Sequence, residues 1–188
     1  PSVFSAMMST RPQLCVKITA VDATADFDSF FEASQHVPAF TNSFKGLIVA
    51  GGLRPDVCAR LSAKCQSMDT LALLNCDMED IMLLSDGIKC VPSLRNVGFF
   101  YPSAPPPLGI GCVLLPFVFE AGLSVTQGPD LLVNFSVKSS DLEDEDEVEL
   151  VEQELDAIQF GWEMTSSTLS RLLQGSGREV HLECGMTP

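Results

Sequence analysis

Short apolar runs return along the first half of the chain at a nearly fixed step, each followed by residues suited to a helix. The centres Leu47, Leu71 and Val97 lie 24 and 26 residues apart, and Phe135, Ile158 and Val180 lie 23 and 22 apart. Strand-plus-helix units at such a step are the mark of a repeat solenoid, in which each unit buries its apolar face on its neighbour. An open mixed α/β sheet gives similar spacing. The chain therefore reads as a single α/β domain over 1–188, with the solenoid placed ahead of the open sheet.

The elements follow from periodicity and punctuation. Strands are expected at Leu14–Val21, Leu47–Val49, Leu71–Leu74, Val97–Phe100, Cys112–Val118, Leu131–Val137 and Val180–Cys184, with a further apolar segment at Ile158–Trp162. Helical stretches are expected from Phe27, over Pro55–Cys65 and Met78–Ile88, and from Ser166 to Leu173. Pro102, Pro105, Pro106 and Pro107 mark a proline-rich loop over 102–107, and Gly175 and Gly177 a turn before the last strand. The apolar run Leu108–Val118 is too short to span a bilayer as a helix and reads as a buried strand, so no membrane span is expected.

Two windows carry a family pattern. Met68, Leu71, Leu73, Cys76 and Met78 fit L-x-x-L-x-L-x-x-C-x-L, and Leu94, Val97 and Phe99 fit its first half. Here the chain resembles the leucine-rich repeat family in its α/β form, over about 44–99 and more loosely over 132–184. The resemblance implies that Leu71 and Leu73 point into the core from a short strand. It also implies that Cys76 sits in the turn where a buried polar ladder forms, and that Met78 caps the helix side.

Charge sets what such a domain can meet. The sixteen residues Asp141–Asp156 hold ten of the 25 acidic residues and no base; without them the formal charge of −14 would be −4. That balance opposes phosphate backbones, whose binding depends on Lys and Arg releasing counterions, so no nucleic-acid partner is expected. Val148, Val151 and Leu155 in the block and Ile158 just past its end recur at three, four and three residues, the stripe of an amphipathic helix. The acidic segment 141–156 thus reads as a loop over Asp141–Glu147 leading into a helix from about Val148. Ser139 and Ser140 before it are candidates for acid-directed phosphorylation.

The cysteines number seven, an odd count, and none are spaced C-x-x-C, so no zinc or thioredoxin-type site is indicated. Thiols among apolar neighbours fit a reducing, intracellular, cytoplasmic setting. The chain begins at Pro1 without a signal-peptide h-region, which reads as a processed chain or a piece of a longer one. Asn134-Phe135-Ser136 has the glycosylation pattern but falls within a strand-like run.

Two histidines leave few routes to histidine chemistry. His36 lies in a loop, and His181 and Cys184, three apart on a strand, face opposite sides. Asp77, Glu79, Asp80 and Asp86 cluster around the helix Met78–Ile88, half of them where a helix start favours carboxylates without any ion, and read as a solvated helix end. No catalytic residues, cofactor or metal ligands are assigned. The expected function is a protein–protein interaction module within a larger hetero-complex. It would offer Asp141, Glu143, Asp144, Glu145, Asp146, Glu147 and Glu149 to a protein with a basic surface. The alternative is a small α/β enzyme with a ligand site at the Gly51–Gly52 turn, where Arg54 is the nearby cation.

Overall fold

Parallel strands need crossovers, and the apolar runs of this chain are far enough apart to supply them. The computed structural model describes residues 15–19, 46–50, 68–88, 93–124, 130–142 and 145–188. In chain order these form β1 (Cys15–Thr19), β2 (Gly46–Ala50), β3 (Thr70–Leu74), α1 (Met78–Ile88), β4 (Asn96–Tyr101), α2 (Gly111–Ser124), β5 (Leu131–Lys138), a 3₁₀ turn (Ser139–Asp141), α3 (Glu145–Leu172) and β6 (Val180–Thr187). The six strands make one sheet in the order β1-β2-β3-β4-β5-β6. Every neighbouring pair is parallel, so the sheet is parallel and not mixed.

The register explains the spacing. Leu47 lies opposite Leu71, Leu71 opposite Val97, Val97 opposite Val133 and Val133 opposite Leu182. A second row runs Val49, Leu73, Phe99 and Phe135, all buried. These rows form one core with Ile81 and Leu84 of α1, Leu114, Phe117 and Val118 of α2, and Val151, Leu155 and Ile158 of α3. The three described helices therefore share one face of the sheet. The other face carries the alternate residues, among them Ala72, Gly98, Phe100, Asn134 and Ser136. Asn134 sits between Gly98 and Glu183 in the interior of this sheet, with pairing on both sides, so its surroundings are not those of a glycosylated loop.

Three expectations are corrected. Cys112–Val118 is not a strand but lies within α2. Ile110, Leu114, Phe117, Val118 and Ala121 are spaced as one face of a helix, and all are buried. Pro116 removes one intrahelical hydrogen bond, but it is exposed, so water can satisfy the freed carbonyl. Ile158–Trp162 is not an extended segment either; with Ser166–Leu172 it belongs to α3, a helix of 28 residues. The even spacing read through Phe135, Ile158 and Val180 is therefore a strand, a helix and a strand. The acidic loop is also shorter than expected, since Asp141 closes the 3₁₀ turn and Glu145 already opens α3. The helices expected from Phe27 and over Pro55–Cys65 lie outside the described residues.

One carboxylate of the acidic block is structural. Glu154, on α3, accepts hydrogen bonds from the backbone N–H groups of Gly109 (3.0 Å) and Gly111 (2.9 Å). These are orphan donors at the start of α2, and a negative charge there also meets the positive end of the helix dipole. Gly109 has φ +77°, which a residue with a Cβ adopts only under strain. Gly111 has no side chain because Ile158 of α3 lies 3.0 Å from where a Cβ would stand.

Candidate functional site

The buried stripe of α3 decides how its charge is presented. Val151, Leu155, Ile158 and Leu169 are buried against α2 and the sheet, so the helix cannot rotate about its axis without losing that contact. Glu145, Asp146, Glu149, Glu152, Asp156 and Glu163 are consequently held on exposed positions, with Glu147 half-buried. Arg171, in the last turn, is the one basic residue of α3. Of the expected contact residues, Glu145, Asp146, Glu147 and Glu149 are thus brought together on one rigid helix. Asp141 lies in the 3₁₀ turn beside it, while Glu143 and Asp144 lie outside the described residues. The contact set expected from the sequence ends at Glu149. Glu152, Asp156 and Glu163 continue it, and the continued i, i+3/i+4 spacing from Glu145 was the available signal.

So many like charges on one helix oppose its formation, with only modest offsets. Gln153 Nε2 donates to Glu149 Oε1 at 3.1 Å, and Gln159 Nε2 donates to Glu163 Oε1 at 3.2 Å. The acidic first turn is favourable at the positive helix end. Burial of the apolar stripe supplies the larger compensation.

The residues of the alternative ligand site, Gly51, Gly52 and Arg54, lie outside the described residues. Asp77 and Asp80 have a structural task. Asp77 Oδ1 accepts from the Asp80 N–H at 2.9 Å, and Asp80 Oδ2 accepts from the Asp77 N–H at 3.0 Å, a reciprocal cap at the start of α1. Asp80 is only 4% exposed, so this helix end is packed rather than solvated. Among the described residues no three His, Cys, Asp or Glu side chains are arranged to hold a metal ion.

Beside that cap lies a buried polar contact. The Tyr101 hydroxyl donates to the Cys76 carbonyl at 2.8 Å and lies 3.2 Å from Cys76 Sγ. Burial pushes the Cys76 thiol from its ordinary 9.0 up to about 12; the Tyr101 hydrogen bond opposes this shift, and nearby Asp80 adds to it. Burial, then the adjacent thiol, raises Tyr101 as well. Both groups hold their protons in the folded state where the unfolded chain releases them. Their stabilising contribution is therefore complete below pH 9 and is lost as pH climbs towards 12, at about 1.4 kcal/mol per pH unit for each group. Tyr101→Phe is expected to cost about 1–3 kcal/mol at neutral pH, because the Cys76 carbonyl loses its donor, and to flatten the alkaline loss. Urea unfolding between about pH 8 and about pH 11 measures both effects.

Near β6, His181 Nε2 lies 3.3 Å from Glu179 Oε2 in an exposed pair. Cys184 points to the core side, with Sγ 3.4 Å from Gln159 Oε1, and burial followed by Asp156 raises its thiol pKa. The two side chains do face opposite ways, so no thiolate–imidazole pair exists here. A cleft of about 560 Å³ lies between the end of α3 and the start of β6, with Trp162, Ser166, Ser170, Arg178 and His181 on its walls. Gly175 and Gly177, at φ +93° and +72°, form the turn beneath it. Among the described residues no helix is long and apolar enough to cross a membrane. Comparison with protein-family models, with curated proteins and with solved structures finds no match for this chain.

Proposed function

We propose that this chain is a protein–protein interaction module that offers the acidic surface of α3 to a partner with a basic surface. The observation that carries this reading is the fixed helix: exposed carboxylates from Glu145 to Glu163 on one side, a buried apolar stripe on the other. A fixed array of like charge raises the encounter rate with an opposite surface and rejects a like one. The unbroken order of parallel strands, with the described helices on one face, supports an architecture of leucine-rich-repeat type. Membership of a larger hetero-complex in a reducing, intracellular compartment belongs to the same reading; Cys76, Cys112 and Cys184 are free thiols.

The test replaces Glu145, Asp146, Glu149 and Glu152 together by Gln or Asn and compares capture of protein partners from cell extract at low and high salt. The neutralised protein is expected to lose the partners whose capture falls with salt, and to show a flatter salt dependence for the rest. Unchanged capture at low salt would remove α3 from the interface.

A further inference from the structure

The acidic helix is not uniformly polar on its solvent side. Phe160 and Met164 are each 66% exposed and Leu150 is 46% exposed, although all three are large apolar side chains. Ala157 between them is exposed as well. The positions are regular: Leu150, Ala157 and Met164 are seven apart, and Gln153 and Phe160 follow the first two by three. Four of these five positions are apolar, a short seam in a/d register broken by Gln153, and it runs opposite the face occupied by Val151, Leu155 and Ile158. From Leu150 to Met164 it extends about 21 Å along the helix.

Charge selects the occupant. The residue preceding each a position, where the flanking contacts of such a seam are made, is Glu149, Asp156 or Glu163, and all three are exposed. The other flank carries Glu147, Gly161 and Thr168, with Glu154 engaged at the start of α2, and so no base either. An antiparallel second copy would set Glu149 against Glu163 and Asp156 against Asp156, and a parallel one would leave Asp156 and Glu163 facing Gly161 and Thr168 with no base to meet them. A foreign helix with Lys or Arg along one side of its apolar face satisfies the seam and its acidic rim together.

We infer that the outer face of α3 docks an amphipathic helix of a partner protein, with Phe160 and Met164 as its anchors and a basic flank against Glu149, Asp156 and Glu163. The inference rests on the proposed interaction role and adds that contact is made through an apolar seam, not through charge alone.

Three synthetic helical peptides of about three heptads separate the two. The first has Leu at a and d with Lys at e and g, the second has Ser in place of each Leu, and the third has Glu in place of each Lys. Isothermal titration of the full chain is expected to show binding of the Leu/Lys peptide, at least about tenfold weaker binding of the Ser/Lys peptide, and none of the Leu/Glu peptide. The double variant Phe160→Ser/Met164→Ser is expected to bind the Leu/Lys peptide at least about tenfold more weakly, with unchanged melting temperature and salt dependence.

Equal binding of both Lys peptides, insensitive to the double variant, would overturn the seam and leave the acidic-surface reading standing. Failure of both Lys peptides at low salt would overturn the two together. Sedimentation showing a dimer that Phe160→Ser dissociates would give the face to a second copy and overturn the assignment. Slow peroxide oxidation of Met164 in the free chain would do the same, by showing that the chain itself covers the stripe.

Discussion

Ile158→Asp is expected to abolish the native fold, or to leave a protein that unfolds at much lower urea concentration. Ile158 is fully buried and packs in the core shared by α2, α3 and the sheet. Its Cγ1 also lies against Gly111, at the start of α2. An aspartate there must either carry an unpaired charge into the core or drag the middle of α3 out of it, and either costs several kcal/mol. Ile158→Val removes one methyl and is expected to cost about 0.5–1.5 kcal/mol. The contrast isolates burial from helix propensity, and far-UV circular dichroism with urea titration measures it. A near-native Ile158→Asp protein would show that the acidic helix is not held on the domain.

Phe99→Ala carries the second large effect, about 3–5 kcal/mol. Phe99 is fully buried in β4, and its ring meets that of Phe117 in α2 edge-on, with centroids 5.4 Å apart. Truncation removes the transfer energy of the ring, opens a cavity and breaks the aromatic pair, itself about 0.5–1.5 kcal/mol. Phe100 is the control. It stands on the other face of the same strand, half-buried, its ring lying over Gly98. Phe100→Ala is expected to cost well under half as much. Equal effects in denaturant titrations would contradict the assignment of the core to a single face of β4.

The strands and α1 were legible because local signals and tertiary needs agree there. Met78–Ile88 has an acidic start, and its buried Ile81 and Leu84 are three apart. Around β3 and β4 the apolar centres sit at the same register position, so the step between them is the step of the fold. The reading failed where a local signal was outweighed. Pro116 and a dense apolar run pointed to a buried strand, but a helix wedged among α1, α3 and the sheet is apolar on more than one side. In α3, like-charge repulsion argued against a helix as far back as Glu145, and burial of Val151, Leu155 and Ile158 overrode it.

The candidate site divides in the same way. Its charge and its inward stripe are periodic, and so could be read. Phe160 falls within the apolar segment expected at Ile158–Trp162 and Met164 between that segment and the expected helix from Ser166, and neither is marked as outward, since exposure is a property of the fold and not of the residue. Glu154 could not have been told from its neighbours at all. Its partners lie 45 and 43 residues earlier, at Gly109 and Gly111.

That carboxylate gives the molecule a path for force. A partner tugging on α3 would load the backbone at Gly109 and Gly111 through two short, charge-assisted bonds, and so pull on the proline-rich loop that enters α2. The helix that faces outward and the loop behind it are thus tied together at this corner, in addition to the apolar stripe that seats α3 on the core.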